Sequence, residues 1–303
     1  MRAPALIRLL LFVTGLAAVA ACAVNPVSGE RELALITEAD ELRLGRDNDL
    51  EIRKQYGVVN DKRLQAYVQQ VGERLAAKSH RPQLKYTFTV LDSPQVNAFA
   101  LPGGYIYITR GILAHLNSEA ELAAVLGHEI GHVTARHAVR QYSAAVAANI
   151  GFTIGAILAP ELANRAAQSL FNVIGGALLS GYGRDHELEA DHLGAEYLAR
   201  TDYDPQAMIE VIGVLKNQEV FEKQLAAKEG REPRAYHGVF ASHPSADQRL
   251  QQVVAQAAKY RSRSNGRVER NSYLQRLDGL AWGDSEAQGV RRGSDFYHLG
   301  LDF

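Results

Sequence analysis

The sequence predicts an α+β domain, mainly helical, with a small β-sheet beside one central helix. Three observations carry this. Apolar residues recur at helical spacing through much of the chain beyond residue 37. Two β-rich runs, Tyr86-Thr87-Phe88-Thr89-Val90 and Tyr105-Ile106-Tyr107-Ile108-Thr109, stand just ahead of the strongest helix. The chain has 303 residues, of which 47% are hydrophobic, enough to bury one substantial core.

The N-terminus reads as a targeting segment. Arg2 and Arg8 form a short basic region before an apolar run from about Leu9 to Ala21, too short for a membrane span and suited to a signal peptide over residues 1–21. The run ends in Val19-Ala20-Ala21-Cys22, which looks like a bacterial lipobox. Cys22 is the only cysteine, so no intrachain disulfide can form. A lone thiol is a liability in an oxidising compartment, whereas an acylated cysteine is not, and several acyl chains supply the multiple anchors that stable attachment needs. The expectation is a periplasmic protein held to a membrane by lipid at Cys22. Ala23 after the cysteine fits sorting to the outer membrane, by similarity to other bacterial lipoproteins. Without residues 1–21 the formal net charge moves from −1 to −3, and nothing suggests a nucleic-acid partner.

Residues 22–36 read as a lipidated N-terminus and tether, and 37–260 as one domain. Helices are predicted at about 37–56 and 60–78, the second with Leu64, Val68, Val71 and Leu75 on one face. Lys85 to Leu91 alternates like a half-buried strand, and Pro102-Gly103-Gly104 supplies turn chemistry before the next. Ser118 followed by Glu121 reads as a capping box opening a helix with Leu122, Val125, Leu126, Ile130 and Val133 as one apolar stripe.

That helix carries His128-Glu129-Ile130-Gly131-His132. Positions four apart share a face, so both histidines can turn an imidazole nitrogen toward a single ion. Glu129, one step round, can accept a proton from a water at that ion. Two histidines leave zinc short of a ligand. A histidine six residues after the second, with a glycine midway, would mark a metzincin, but Ala138 and Ala135 occupy those places. The best third donor is Glu187, on a helix predicted to run to about Ala199. Asp191, four residues on, can receive a ring N–H from a ligating histidine and fix its tautomer. Glu189 falls about 200° round that helix from Glu187 and should face elsewhere.

Between the two motifs, residues 144–179 are apolar and rich in small side chains. Asn149, Glu161, Asn164, Arg165 and Asn172 interrupt them, which favours core helices over a bilayer segment. Asp204-Pro205 opens another helix with Met208, Ile212 and Leu215. His243, in a Ser-His-Pro turn before a further amphipathic helix, is a candidate fourth ligand or transition-state group. His137, His186, His192 and His237 lack ligand spacing and read as surface or packing residues. From Arg261 a basic, linker-like stretch leads into a C-terminal extension, 261–303, of unknown role.

Taken together, His-Glu-Ile-Gly-His, the downstream Glu187-x-x-Ala190-Asp191 and Asn97-Ala98-Phe99-Ala100-Leu101-Pro102-Gly103-Gly104 resemble the gluzincin family of HtpX and the CAAX prenyl endopeptidases. The likeness spans roughly residues 26–260 and is nearest to the periplasmic BepA-like and LoiP-like lipoprotein proteases. It implies a zincin-like metallopeptidase domain holding one zinc ion per chain. His128, His132 and Glu187 match the zinc ligands, Glu129 the general base and Asp191 the acidic partner. It also implies that a strand bordering the cleft binds the substrate backbone by β-addition, either the strand around Asn97 to Ala100 or Tyr105 to Thr109. The expected substrates are unfolded or misassembled envelope proteins. The alternative is a zinc-bound chaperone or assembly factor with latent protease activity, kept latent by His243 as a fourth ligand. In that case His243→Ala would gain activity on unfolded casein, and an unchanged rate would remove the idea.

Overall fold

The computed structural model describes residues 22–148, 182–230 and 266–281, together with 254–255, 259–260, 283, 290–292 and 295–297. Residues 1–21, the apolar stretch from 149 to 179, and His237 and His243 lie outside the described residues. Among the described residues the fold is α+β and mainly helical, and no helix is long and apolar enough to cross a membrane.

The chain enters through β1 (Cys22–Val24) and β2 (Arg31–Leu33), an antiparallel hairpin where the sequence suggests a plain tether. Its turn is set by Asn25, whose side-chain oxygen accepts from the N–H groups of Val27 and Ser28. Helix α1 (Glu38–Tyr56) opens with a reciprocal cap between Thr37 and Asp40. Helix α2 (Lys62–Ala76) opens on Asp61 and buries Leu64, Val68, Val71 and Leu75, the face its periodicity predicts.

Three strands follow: β3 (Thr87–Leu91), β4 (Ala98–Leu101) and β5 (Tyr105–Thr109). They form one sheet in the order β3-β5-β4, with β5 parallel to β3 and antiparallel to β4. The β4–β5 turn holds Gly103 and Gly104 at φ +82° and +90°, where a side chain would be strained. The alternation read in β3 is present, but neither face meets water. Phe88, Val90, Ile106 and Ile108 pack into the main core with α2, while Phe99, Leu101 and Tyr107 pack with Leu44, Ile52 and Tyr56 of α1. Even Thr89 is buried, its hydroxyl accepting from Arg53 of α1 at 2.7 Å.

Short α3 (Arg110–His115) leads to α4 (Glu119–Thr134), which carries the His-Glu motif. The sequence suggests one apolar stripe, yet all of α4 is buried, enclosed by α2, the sheet and later helices. At its start Ser118 Oγ accepts from Glu121 N–H at 3.1 Å, as a capping box requires. The return bond is displaced by one residue, because Glu121 Oε2 takes the N–H of Asn117 at 2.9 Å. Beyond lie α5 (His137–Ala148), α6 (Arg184–Arg200), α7 (Gln206–Glu229) and α8 (Arg270–Arg276), then the small hairpin β6 (Val290–Arg292) and β7 (Asp295–Tyr297). The entry hairpin leans on α5: Leu35 N–H donates to Ser143 Oγ at 3.0 Å, and Arg140 pairs with Glu32 at 3.4 Å.

The described part of the C-terminal extension packs on this core. Tyr273 is fully buried and donates to Leu113 O at 2.8 Å, Ala120 N–H donates to Val268 O, and Arg110 donates to Ala281 O and Gly283 O. Glu119, the first residue of α4, gathers the hydroxyls of Tyr203 at 2.5 Å and Tyr67 at 2.9 Å with Arg74 and Arg267 at 3.2 and 3.3 Å. Burial pushes this carboxyl upward, but the two hydroxyls and Arg74 outweigh it, and its pKa lies below the ordinary value. A lowered carboxyl contributes stability that is fully present above its unfolded pKa and is lost as pH falls through the folded one. Glu119→Ala should therefore cost roughly 2–4 kcal/mol near neutrality by leaving buried donors unmatched. The cost should shrink as thermal melts are taken below the ordinary carboxylate range, and a constant difference across that range would refute the role.

Candidate metal centre

Two helices supply the site. α4 carries His128, Glu129 and His132, and α6 carries Glu187 and Asp191, each set on one helix face as its spacing requires. Small residues let the two backbones approach. A Cβ added at Gly131 would lie 3.0 Å from both Cα and O of Ala190, and one at Gly127 would lie 3.3 Å from Cα of Gly194. At that separation the short reach of Glu187 suffices. His128 Nε2 and His132 Nε2 are 3.0 Å apart, and the Glu187 carboxylate lies 3.6 Å from the first and 3.5 Å from the second. The three donor atoms fall within 4.8 Å of one another, and all three residues are buried.

The surroundings fix the direction of these donors. Asp191, fully buried, has Oδ1 2.8 Å from His128 Nδ1. A carboxylate accepts, so Nδ1 carries the proton and Nε2 presents its lone pair inward. The buried Tyr182 ring stacks on His132 with centroids 4.2 Å apart and 21° between planes. Two imidazole lone pairs and a carboxylate converging in a buried space repel one another without a cation between them. Two ring nitrogens and one carboxylate oxygen are also the donor set of a zinc site that keeps a position open. The residues present fit a single metal ion.

Of the residues that the sequence singles out, His128, His132 and Glu187 form one cluster with Asp191 against His128, and Glu129 follows His128 on the same buried helix. Glu189 stands outside the donor set, its carboxylate on His137 Nε2 at 3.1 Å and Arg140 at 2.7 Å. Of the surface and packing alternatives for His137, the structure shows the buried one, with polar contacts that its spacing did not predict. His137 is fully buried, with Nδ1 2.8 Å from His132 Nδ1 and Nε2 3.1 Å from Glu189 Oε2. Arg136 makes this possible: at φ +55° it turns the chain between α4 and α5, and its guanidinium is held by Glu41 at 2.6 Å and Ile36 O at 2.9 Å. Burial keeps the His137 imidazole below its ordinary pKa, although Glu189 pulls the other way. Burial would also raise Glu189, but His137 and Arg140 hold it at about 2. His186, stacked on His137 with centroids 4.3 Å apart, is pushed by burial to about 4. Tyr182 was missed altogether; no spacing rule ties it to the motif.

The glycine contact yields a direct test. Gly131→Val drives branched carbons into Ala190, and such overpacking costs about 1–3 kcal/mol. Because the strain sits between the two donor helices, zinc affinity measured by chelator competition should fall further than the melting temperature alone implies. Wild-type affinity in a folded Gly131→Val chain would show that the close contact is not what sets the donor distances.

The match to known proteins agrees with this geometry. A protein from Vibrio cholerae named putative beta-barrel assembly-enhancing protease is 36% identical over 167 residues, covering 52% of this chain and 34% of its own length. The mitochondrial metalloendopeptidase OMA1 of Schizosaccharomyces pombe is 31% identical over 236 residues, covering 75% of this chain and 64% of its own. The beta-barrel assembly-enhancing protease of Escherichia coli is 26% identical over 231 residues, covering 74% and 45%. The chain thus spans between about one third and two thirds of the length of these relatives. The model of peptidase family M48 matches residues 62–257, which take in the sheet, both donor helices and the glycine contact between them, and the chain belongs to that family.

Proposed function

We propose that this chain is a zinc-dependent endopeptidase acting on unfolded or misassembled proteins of the cell envelope. The observation that carries the reading is the convergence of His128, His132 and Glu187, with Glu129 next to the first of them on a buried helix. Bound there, zinc would supply Lewis acidity toward a peptide carbonyl and toward water. His128, His132 and Glu187 would hold the ion, and Asp191 keeps His128 in the ligating tautomer. Glu129 takes the proton of the attacking water and returns it to the leaving amine, so that one carboxylate serves as base and then acid.

Two features support a peptide as substrate. Of the two strands that the sequence leaves open for β-addition, β5 is central and has both neighbours in place, whereas β4 is the edge strand. β4 runs beside α4, with Ala98 near His128 and Glu129 and with Ala100 and Leu101 near His132. At its head the buried Asn97 side-chain oxygen has no hydrogen-bond partner among the described residues, an acceptor that a peptide N–H would satisfy. Beside His128 and Glu129 lies a narrow recess of about 20 Å³ walled by Val125, Met208, Val211, Ile212 and Leu215, whose apolar lining would favour an apolar side chain flanking the scissile bond once these walls part. The envelope assignment rests on the likeness to the bacterial beta-barrel assembly-enhancing proteases, and the periplasmic, outer-membrane location on the resemblance of Val19-Ala20-Ala21-Cys22 to a lipobox.

Glu129→Gln should keep zinc and lose at least about 100-fold in cleavage of unfolded casein, since a general base is worth that much. Cleavage sites mapped by mass spectrometry should cluster beside apolar residues. Equal turnover by both chains would overturn the assigned base, and sites indifferent to side-chain type would overturn the pocket. In cells, Cys22→Ser should move the protein from membranes to the soluble fraction, and unaltered fractionation would dismiss the lipid anchor.

A further inference from the structure

The two histidines of the metal centre are oriented by different means. His128 rests on a carboxylate, whereas His132 rests on a second imidazole. His132 Nδ1 and His137 Nδ1 are 2.8 Å apart, so one is an N–H and the other a lone pair. The other nitrogen of His137 lies 3.1 Å from Glu189 Oε2, which accepts only, and therefore Nε2 carries a proton. If His137 Nδ1 carried one as well, His132 would have to present its Nδ1 lone pair there and turn Nε2–H toward His128 and Glu187. A nitrogen bearing hydrogen cannot ligate. Only the opposite direction fits the donor set: His132 Nδ1–H donates to His137 Nδ1, and His137 Nε2–H donates to Glu189.

The relay is anchored at its far end. Arg140, one turn along α5, donates to the same Glu189 oxygen at 2.7 Å and pairs with Glu32 of the entry hairpin at 3.4 Å. Glu32 in turn accepts from Asn25 Nδ2 at 3.0 Å. The plane of His137 is set by His186, stacked on it with 18° between the rings. A residue kept only to fill space would need none of these directional contacts.

We propose that His137 is a positioning residue of the metal centre, which through Glu189 and Arg140 fixes the tautomer and tilt of His132. This rests on the metal-binding reading of His128, His132 and Glu187. Three variants separate positioning from packing. His137→Phe keeps a ring against His186 but offers no acceptor. His137→Asn keeps an acceptor near the Nδ1 position. Glu189→Leu leaves His137 in place and removes what fixes its proton.

Each full-length chain is titrated with zinc against a chromophoric chelator, and its metal-free fold is checked by thermal unfolding. Loss of such an outer partner weakens metal binding about 10–100-fold. That loss is expected for His137→Phe, with His137→Asn within a few-fold of wild type and Glu189→Leu between them. Long-range proton–nitrogen spectra of the zinc-loaded wild type should show His132 as the Nδ1–H tautomer and His137 as Nε2–H. Should His137→Phe not fold, Glu189→Leu and these spectra still decide the matter. Wild-type zinc affinity in His137→Phe, equal losses in the Phe and Asn variants, or an Nε2–H signal at His132 would overturn the proposal. A wild-type chain that binds no zinc would overturn the metal reading itself, and is distinguished by failing before any variant is compared.

Discussion

The site depends on how near two helix backbones can come. Glu187 can join the two imidazoles because α6 lies against α4 where Gly127 and Gly131 face Gly194 and Ala190. Glycine inside a helix costs roughly 1 kcal/mol relative to alanine, and three stand in these two helices. The fold offsets that cost by enclosing α4 on all sides, so the motif helix draws its stability from tertiary burial rather than from its own propensity. Gly131 therefore has a packing duty within the metal motif, separate from that of the histidines on either side.

Both ends of α4 are tied by buried charge. Glu119 at the first turn meets two hydroxyls and two guanidinium groups, and its negative charge also suits the helix N-terminus. Just past the C-terminus, Arg136 and Arg81 share Glu41 of α1, with Arg81 also reaching Glu38 and Val133 O. Ions this deep must be paired, and removing one partner leaves the other stranded. The same clamp holds Arg136 in its left-handed conformation, which in turn presents His137 to His132. Rigidity of the donor helix and orientation of its second histidine thus share one cause.

What could be read from the sequence was what repeats at short range. His128 and His132, and Glu187 and Asp191, are four apart, and helix geometry alone aligns them. The buried face of α2 followed from the spacing of Leu64, Val68, Val71 and Leu75. His137 escaped because five residues along a continuous helix lie about 140° round from His132. Only the turn at Arg136, enforced by a glutamate 95 positions earlier, brings it back. The strand alternation was visible, but that both faces are covered depends on α1 and α2 flanking the sheet, and strand order decides which strand is the edge. The entry hairpin was read as a tether because three-residue strands leave almost no periodic signal.

The cluster at Glu119 has a temporal side. One of its four partners, Arg267, is synthesised 148 residues after Glu119, and the segment that carries it also covers α3 and the start of α4. In synthesis from N- to C-terminus, Glu119 therefore meets Arg267 only after both donor helices have been made. Until then Glu119 is held by Tyr67, Arg74 and Tyr203 alone, and the start of the helix that bears both histidines goes without the cover of Val268 and Tyr273.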